Sequence, residues 1–385
     1  MESSQVDVVG RLVLDDRVTD GRIAVEGGLI VSVESDGSTR AITSDRSPSG
    51  DRDGPYIGPG FVDVHVHGGG GHDAMGGRAA LDGMARHLLR HGVTSFLPTA
   101  VSAPLTDLYR FVDEVRDWLP DAPPDGSQPL GSNLEGPWLS HAKRGAHDPT
   151  LLRAPADLHY EDLAAHLDGL RLVTVAPEIP GALELIAWLR DRGVATSMGH
   201  SAATIDEARA GYAAGGSSTT HLFNGMSGID HRVPGLALAA LTDDDAYVEL
   251  IADGVHVHPA LWRLIARTKP LDRLMLISDA IPMAGMGDGR ATVGGLEVDV
   301  RGFRCTLVGT DTLAGSVIAL DTALRNVVAS GLSLPAAVAA ASRNPLAMLG
   351  VSDRGRIAVG QRADLVELDD DLQVTRVMRA GTWIV

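Results

Sequence analysis

The amino-acid sequence predicts an α/β fold, a TIM-like (β/α)8 barrel with a small β-sandwich domain formed by the N- and C-terminal segments. The middle of the chain alternates strand-like and helix-like stretches, which is typical of a parallel barrel. Both ends instead consist of short strand-like runs separated by glycines and acidic turns. The chain has 385 residues, of which 44% are hydrophobic, enough for one large barrel and an appendage. We therefore predict a barrel domain over residues 59–349 and a sandwich domain from residues 1–58 and 350–385.

The terminal segments supply the strands of the predicted sandwich. The N-terminal strand candidates are residues 6–9, 11–14, 22–25 and 29–33. The C-terminal strand candidates are residues 355–359, 363–368 and 374–378. Neither end is long enough to bury its own apolar face, so we expect the two ends to pack together. The polar stretch over residues 35–54 is predicted to be a loop.

The barrel prediction rests on eight strand candidates and on the helices between them. The strand candidates end at His67, Pro98, Glu135, Ala176, His200, His221, Ala252 and Asp279. The helical candidates cover residues 78–91, 105–119, 160–167, 182–192, 203–213 and 259–268. The segment after Pro234 is long enough for one or two further helical turns. Because strands and helices alternate, we expect the strands to run parallel in one closed sheet.

Composition and charge exclude several functional classes. The chain carries 33 Lys and Arg against 50 Asp and Glu, a formal net charge of −17, which argues against a nucleic-acid partner or an anionic membrane surface. No apolar run approaches the ~18 residues that would span a bilayer, and the start lacks the pattern of a secretion signal. The single cysteine, Cys305, allows neither an intrachain disulfide nor a thiolate metal cluster. We expect a cytoplasmic protein in which Cys305 is inert.

Titratable side chains stand at the carboxyl ends of five strand candidates. They are His65, His67, Glu135, His200, His221 and Asp279. Strand ends at one rim of such a barrel face one opening, so these groups are expected to converge. Imidazoles and carboxylates without thiolates indicate an open catalytic metal site, with Zn²⁺ as the first expectation and Fe²⁺, Mn²⁺ or Co²⁺ as alternatives. A carboxylate such as Glu135 can bridge two ions, so one or two divalent ions are expected.

Other residues near these strand ends have more than one interpretation. Asp279 can be a metal ligand, a cap, or the acid/base that takes a proton from an activated water and delivers it to a departing amine, and we favour the acid/base. The loop with Asn224 and Arg232 fits an anion pocket or a plain glycine-rich connection. His147 belongs to a basic segment that is a substrate loop or a surface turn. His256, past the seventh strand, is a candidate hydrogen-bond donor to a substrate carbonyl.

Eight short motifs resemble those of one known family. They are P-G-F-V-D-V-H-V-H-G at 59–68, L-E-G-P-W-L at 134–139, K-R-G-A-H at 143–147, M-G-H-S at 198–201, T-H-L-F-N-G-M at 220–226, I-A-D-G-V-H at 251–256, S-D-A at 278–280 and L-A-G-S at 313–316. In this order they resemble the N-acetylglucosamine-6-phosphate deacetylases of the amidohydrolase superfamily. The resemblance extends from about residue 59 to residue 345.

The resemblance implies an activity, a cofactor and a partner. It implies metal-dependent hydrolysis of N-acetyl-D-glucosamine 6-phosphate to D-glucosamine 6-phosphate and acetate, in amino-sugar catabolism. Glu135, His200 and His221 would bind the essential metal, and Asp279 would be the acid/base. The positions matching substrate contacts are Ala146, His147, Asn224, Gly225, Arg232, His256, Leu313, Ala314 and Gly315. The arginine matching Arg232 commonly reaches the phosphate in the neighbouring active site, which implies a homodimer.

The sequence also bears on metal count and on competing functions. Some members of the family lack the first histidine pair and use one metal, whereas His65 and His67 are present here. Cyclic-imide hydrolases such as dihydroorotase usually bridge two metals with a carboxylated lysine on the fourth strand, but residues 171–176 contain no lysine. A metal-dependent sugar-phosphate sensor is the alternative from a different class, and it would have no need of Asp279 as an acid/base.

Overall fold

The structure, a computed structural model, describes residues 5–37 and 54–385. In chain order, its strands are β1 (Val6–Val13), β2 (Val18–Glu26), β3 (Leu29–Ser35), β4 (Tyr56–Pro59), β5 (Phe61–Val66), β6 (Gly68–Gly69), β7 (His72–Asp73), β8 (Val93–Ala100), β9 (Gln128–Pro129), β10 (Ser132–Glu135), β11 (Leu170–Val175), β12 (Ala195–Met198), β13 (Ser218–Thr219), β14 (Tyr247–Ile251), β15 (Leu274–Ile277), β16 (Gly289–Val293), β17 (Leu296–Arg301), β18 (Arg304–Leu307), β19 (Leu365–Leu368), β20 (Val374–Arg379) and β21 (Thr382–Trp383). The α-helices are α1 (Arg78–Arg90), α2 (Leu105–Trp118), α3 (Tyr160–Ala164), α4 (Ala182–Arg190), α5 (Ile205–Ala214), α6 (Leu236–Thr242), α7 (Pro259–Thr268), α8 (Leu320–Ala329), α9 (Leu334–Ala340) and α10 (Arg343–Met348).

Eight parallel strands form the barrel that the sequence predicts. They are neighbours in the order β5, β8, β10, β11, β12, β13, β14 and β15. Strands β5, β8, β10 and β15 are buried along their whole length, as expected of parallel strands covered on both faces. The first and last strands meet through hydrogen bonds, since Ser278 Oγ donates to Asp63 Oδ2 (2.5 Å) and Asp279 N donates to the His65 carbonyl oxygen (2.9 Å). The predicted fold class is confirmed, and each predicted strand end lies within two residues of the observed one.

The helices surround the barrel and bury one face each. Helix α1, for example, buries Leu81, Met84 and Leu88. Helices α1 to α7 lie where the sequence predicts them, including the short α6 after Pro234. Helix α3 ends at Ala164, earlier than predicted, and His166 beyond it stacks on Tyr109 of α2. Helices α8, α9 and α10 were not predicted. Among the described residues, none of the helices is both long and apolar enough to cross a membrane.

Strands from both ends of the chain form one seven-stranded sheet, in the order β21, β20, β19, β4, β1, β2 and β3. Strand β4 joins the two ends, since it pairs in parallel with β1 and antiparallel with β19. The predicted strand at 355–359 is wrong, because Gly355 (φ +89°) turns the chain and the segment forms bends instead. Most of the predicted loop at 35–54 lies outside the described residues. The domain boundaries at 58/59 and 349/350 stay predictions.

A three-stranded antiparallel sheet of β16, β17 and β18 follows the last barrel strand and was not predicted. Its buried side chains Val298, Val300 and Cys305 pack with Ile281 and Ala314, which belong to loops at the barrel mouth. Burial raises the pKa of Cys305 to about 11, so its thiol stays protonated at neutral pH. The insert therefore forms an apolar wall over the carboxyl ends of the barrel strands.

Candidate active site

Three of the candidate residues stand where the chain leaves a barrel strand, in an unusual backbone conformation. His200 follows β12, His221 follows β13 and Asp279 follows β15, each by two residues. Their φ angles are 46°, 28° and 49°, in the left-handed region that residues other than glycine rarely adopt. Such strain persists only where the surrounding structure holds it, and it clusters at functional sites. The turns bring all three side chains into the barrel mouth, where they are buried.

One group of side chains converges on a single carboxylate oxygen. Glu135 Oε1 lies 3.0 Å from His200 Nε2 and 2.9 Å from His221 Nε2. The two nitrogens are themselves 3.1 Å apart. This close grouping of three ligand atoms can hold a metal ion.

A second group lies beside the first and contacts the same carboxylate. His65 Nε2 and His67 Nε2 are 3.2 Å apart. His67 Nε2 is also 3.2 Å from Asp279 Oδ1 and 3.2 Å from Glu135 Oε2. His65, His67 and Asp279 form a second set that can hold an ion. Glu135 thus contacts both groups, since Oε2 faces His67 and Oε1, which faces the first group, also lies 3.6 Å from His65 Nε2. A carboxylate in this position can bridge two ions.

The outer nitrogens of the rings determine where their protons lie. His200 Nδ1 is 2.8 Å from the Lys143 carbonyl oxygen, and His67 Nδ1 is 3.1 Å from a carbonyl oxygen of β8. Because a carbonyl oxygen only accepts hydrogen bonds, both Nδ1 atoms donate. His65 Nδ1 faces a carboxylate oxygen of Glu249 at 3.1 Å and donates in the same way. In the neutral rings, the three Nε2 atoms therefore present lone pairs.

These lone pairs make the donor set suitable for cations. The Nε2 atoms that carry them lie between 3.0 and 3.6 Å from carboxylate oxygens of Glu135 and Asp279. Acceptors at such distances repel unless a positive charge lies between them. Imidazole and carboxylate donors of this kind suit Zn²⁺ and similar divalent ions, and hydrogen bonds to the outer nitrogens orient such rings.

His147 and His256 differ from these rings because their Nε2 atoms are not part of either group. Ser102 N donates to His147 Nδ1 (3.4 Å), which leaves the proton of a neutral ring on Nε2, 3.4 Å from Glu135 Oε2. His147 therefore presents a hydrogen-bond donor to the site. His256 is held by Asp253, whose Oδ2 lies 2.6 Å from its Nδ1.

A cavity of about 250 Å³ opens over both groups. Eight of the predicted substrate positions line this cavity: Ala146, His147, Asn224, Gly225, His256, Leu313, Ala314 and Gly315. The predicted metal and acid/base positions that line it are His67, Glu135, His200, His221 and Asp279. His65 is fully buried and is not among the lining residues. Arg232 is exposed and lies outside this lining. Among the described residues that line the cavity, none is a lysine or an arginine.

Three buried acidic residues support the site and were not identified from the sequence. Glu249 contacts His65, Asp253 contacts His256, and Asp63 joins β5 to Ser278. Burial raises the pKa of Asp63 to about 7. Asp63 and Glu249 stand in fully buried stretches of strands that are mostly apolar, and an acidic residue in such a run is the signal that would have revealed them.

Comparisons with known proteins assign this arrangement to a family. Residues 56–384 match the model of the amidohydrolase family. The chain is 40% identical to N-acetylgalactosamine-6-phosphate deacetylase of Escherichia coli O157:H7, over 96% of this chain and 94% of the relative. It is 38% identical to human N-acetylglucosamine-6-phosphate deacetylase, over 94% and 90% of the two chains. A mutant of N-acetyl-D-glucosamine-6-phosphate deacetylase from Mycobacterium smegmatis, in complex with N-acetyl-D-glucosamine-6-phosphate, superposes with a TM-score of 0.89 at 38% identity, covering 99% and 100% of the chains. The chain belongs to the amidohydrolase family.

Proposed function

We propose that this protein hydrolyses the acetamide of N-acetyl-D-glucosamine 6-phosphate to D-glucosamine 6-phosphate and acetate, with a divalent metal as cofactor. The observation that carries the proposal is the pair of ligand groups around Glu135, whose imidazole nitrogens and carboxylate oxygens lie close together beneath one cavity. The relatives support the substrate class, since they are named as deacetylases of N-acetylated hexosamine 6-phosphates. A charged sugar phosphate does not cross membranes unaided, so we place the reaction in the cytoplasm.

The two groups of ligands are assigned to two ions. Glu135, His200 and His221 would hold one ion, and His65 and His67 would hold the second, on the other side of Glu135. Zn²⁺ is our first choice, with Fe²⁺, Mn²⁺ or Co²⁺ as alternatives. When bound, such an ion lowers the pKa of a coordinated water toward 7 and polarises a carbonyl group.

Asp279 transfers the proton of the attacking water, and His147 stabilises the negative charge that develops on the carbonyl oxygen. The Asp279 carboxylate lies in the cavity wall beside His67, where it can take a proton from the attacking water. It then delivers that proton to the amide nitrogen, so that the sugar leaves as a neutral amine. His147 donates a hydrogen bond from its Nε2–H to the carbonyl oxygen as negative charge develops there. His256, held by Asp253, is the alternative donor.

The phosphate is assigned to the loop of Asn224 and Gly225 together with an arginine from a second subunit. A phosphate is bound most strongly by guanidinium groups, and the described lining of this chain's own cavity supplies no cationic side chain of Lys or Arg. Arg232 stands on an exposed segment between Ile229 and Val233, whose apolar side chains are 49% and 71% exposed. A second copy of the chain would cover these side chains, so we propose a homodimer in which the partner's Arg232 binds the phosphate.

Acetate release from a small panel of sugars tests the proposed function. The panel contains N-acetyl-D-glucosamine 6-phosphate, its galactosamine epimer and unphosphorylated N-acetyl-D-glucosamine, and each is assayed after metal removal and after metal is restored. The epimer is included because of the Escherichia coli relative. We expect release only with metal, and fastest from the glucosamine phosphate. Equal release from metal-free protein, or none from any phosphosugar, would contradict the proposal.

A further inference from the structure

A second cavity of about 250 Å³ lies beside the main cavity. The two cavities share four lining residues, His67, Val101, Val293 and Gly294. His67 belongs to the ligand groups, so the other three residues separate the reacting centre from the second cavity. This space is not used by the mechanism proposed above.

Val101 lies at the boundary between the two cavities. It directly follows β8, between Thr99 and Ser102. The carbonyl oxygen of Thr99 accepts a hydrogen bond from His67 Nδ1 (3.1 Å), and Ser102 Oγ contacts His147 Nδ1 (2.9 Å). Val101 therefore lies on the stretch of backbone that joins a candidate metal ligand to the candidate carbonyl donor. Its side chain lines the main cavity together with His67 and His147.

The opposite side of the boundary is the tip of the β16–β17 hairpin. Gly294 has a φ of +56° and stands against the Val101 side chain, because a Cβ at Gly294 would lie 2.7 Å from Val101 Cγ2. The glycine lets the hairpin approach Val101 without a clash. At this point the barrier between the cavities is the Val101 side chain packed against Gly294, and Val293 lines both cavities as well.

We propose that Val101 determines acyl-chain specificity: its side chain closes the acyl end of the main cavity, so that an acetyl group fits and a longer acyl chain, which would enter the second cavity, is rejected. This inference rests on the proposed function. The acetyl methyl is the only carbon substituent on the carbonyl, and Val101 and Val293 are apolar residues that line both cavities beside His67. Truncating Val101 would connect the two spaces.

The test compares N-butyryl and N-acetyl forms of D-glucosamine 6-phosphate as substrates. In Val101→Ala, we expect the ratio of kcat/KM for the butyryl substrate over the acetyl substrate to rise at least about 10-fold, the lower end of the range for one methylene in an apolar pocket. Ile281→Ala is the matched control, because Ile281 lines the main cavity but not the second. The control should leave the ratio close to that of the wild type. Val101 is half-buried, so the variant is expected to fold, and acetate release from the acetyl substrate is the check on its folding.

Three outcomes separate a failure of the role of Val101 from a failure of the proposed function. An unchanged ratio in Val101→Ala, with the wild type active on the acetyl substrate, would overturn the role of Val101 and leave the proposed function intact. A rise confined to Ile281→Ala would place the acyl chain elsewhere and would equally overturn it. A wild type that releases no acetate would overturn the proposed function and this inference together.

Discussion

Replacing Glu249 with glutamine tests whether a buried carboxylate orients a metal-binding imidazole. Glu249 Oε2 lies 3.1 Å from His65 Nδ1 and accepts a hydrogen bond from His221 N at 3.2 Å, and the residue is fully buried. Glutamine keeps the shape but removes the charge. A hydrogen bond to a charged group contributes about 1.5–3 kcal/mol, which corresponds to about 10- to 150-fold in an equilibrium constant. Since removal of such outer partners typically lowers metal affinity 10- to 100-fold, we expect a loss of about that size in Glu249→Gln.

Competition for Zn²⁺ against a chelator of known affinity measures this loss. Glu178→Gln is a matched control, because Glu178 binds the Ser201 hydroxyl (2.7 Å) and the Ala202 backbone N–H (2.6 Å) near the same rim. The control should bind Zn²⁺ almost as the wild type does. The reasoning is refuted if Glu249→Gln also retains wild-type affinity, or if both variants lose affinity equally.

Three further predictions concern catalysis, the phosphate and pH. Asp279→Asn should keep substrate binding and the ion of Glu135, His200 and His221 but lower kcat about 10²- to 10⁴-fold, and unchanged turnover would remove Asp279 from proton transfer. Arg232→Ala should raise KM for the phosphorylated sugar far more than for the neutral sugar, and equal rises would show that Arg232 does not bind the phosphate. Lys269 Nζ donates to the Ala240 carbonyl oxygen (2.9 Å), and burial lowers the pKa of Lys269 to about 8. Because the unfolded chain binds more protons between that pKa and the ordinary value of 10.5, the contribution of Lys269 to the free energy of unfolding should rise with pH over this range. Denaturant titrations at pH 8 and pH 10 should show this rise in the wild type but not in Lys269→Met, and an equal rise in both would contradict the assignment.

Much of the barrel follows from local sequence pattern. Buried parallel strands give apolar runs such as residues 274–277, and helices such as Pro259–Thr268 give the 3.6-residue period, so both were predictable. The convergence of Glu135, His200 and His221 was predictable for a different reason. Once the barrel is assumed, every strand end faces one opening, whatever the distance along the chain.

The remaining features depend on contacts that no local pattern reveals. The insert of β16, β17 and β18 has alternating apolar residues, but its position over the barrel mouth depends on packing against Ile281 and Ala314, which lie outside its strands. The run at 355–359 has strand-like composition, yet Gly355 turns it away from the sheet. Which nitrogen of each histidine ring carries the proton depends on partners far away in sequence, such as the Lys143 carbonyl oxygen, 57 residues from His200. Likewise, the cavity beyond Val101 exists only because the β16–β17 hairpin folds onto the barrel.

Metal stoichiometry measured together with activity tests the central idea most directly. Protein stripped with a chelator is titrated with Zn²⁺ while bound metal and acetate release from N-acetyl-D-glucosamine 6-phosphate are followed in the same samples. Two groups of ligands that share Glu135 predict two ions per chain, with activity that rises as they bind, and the loss of both ions in Glu135→Ala. Full acetate release from the metal-free protein, or unaltered metal binding in Glu135→Ala, would contradict the account.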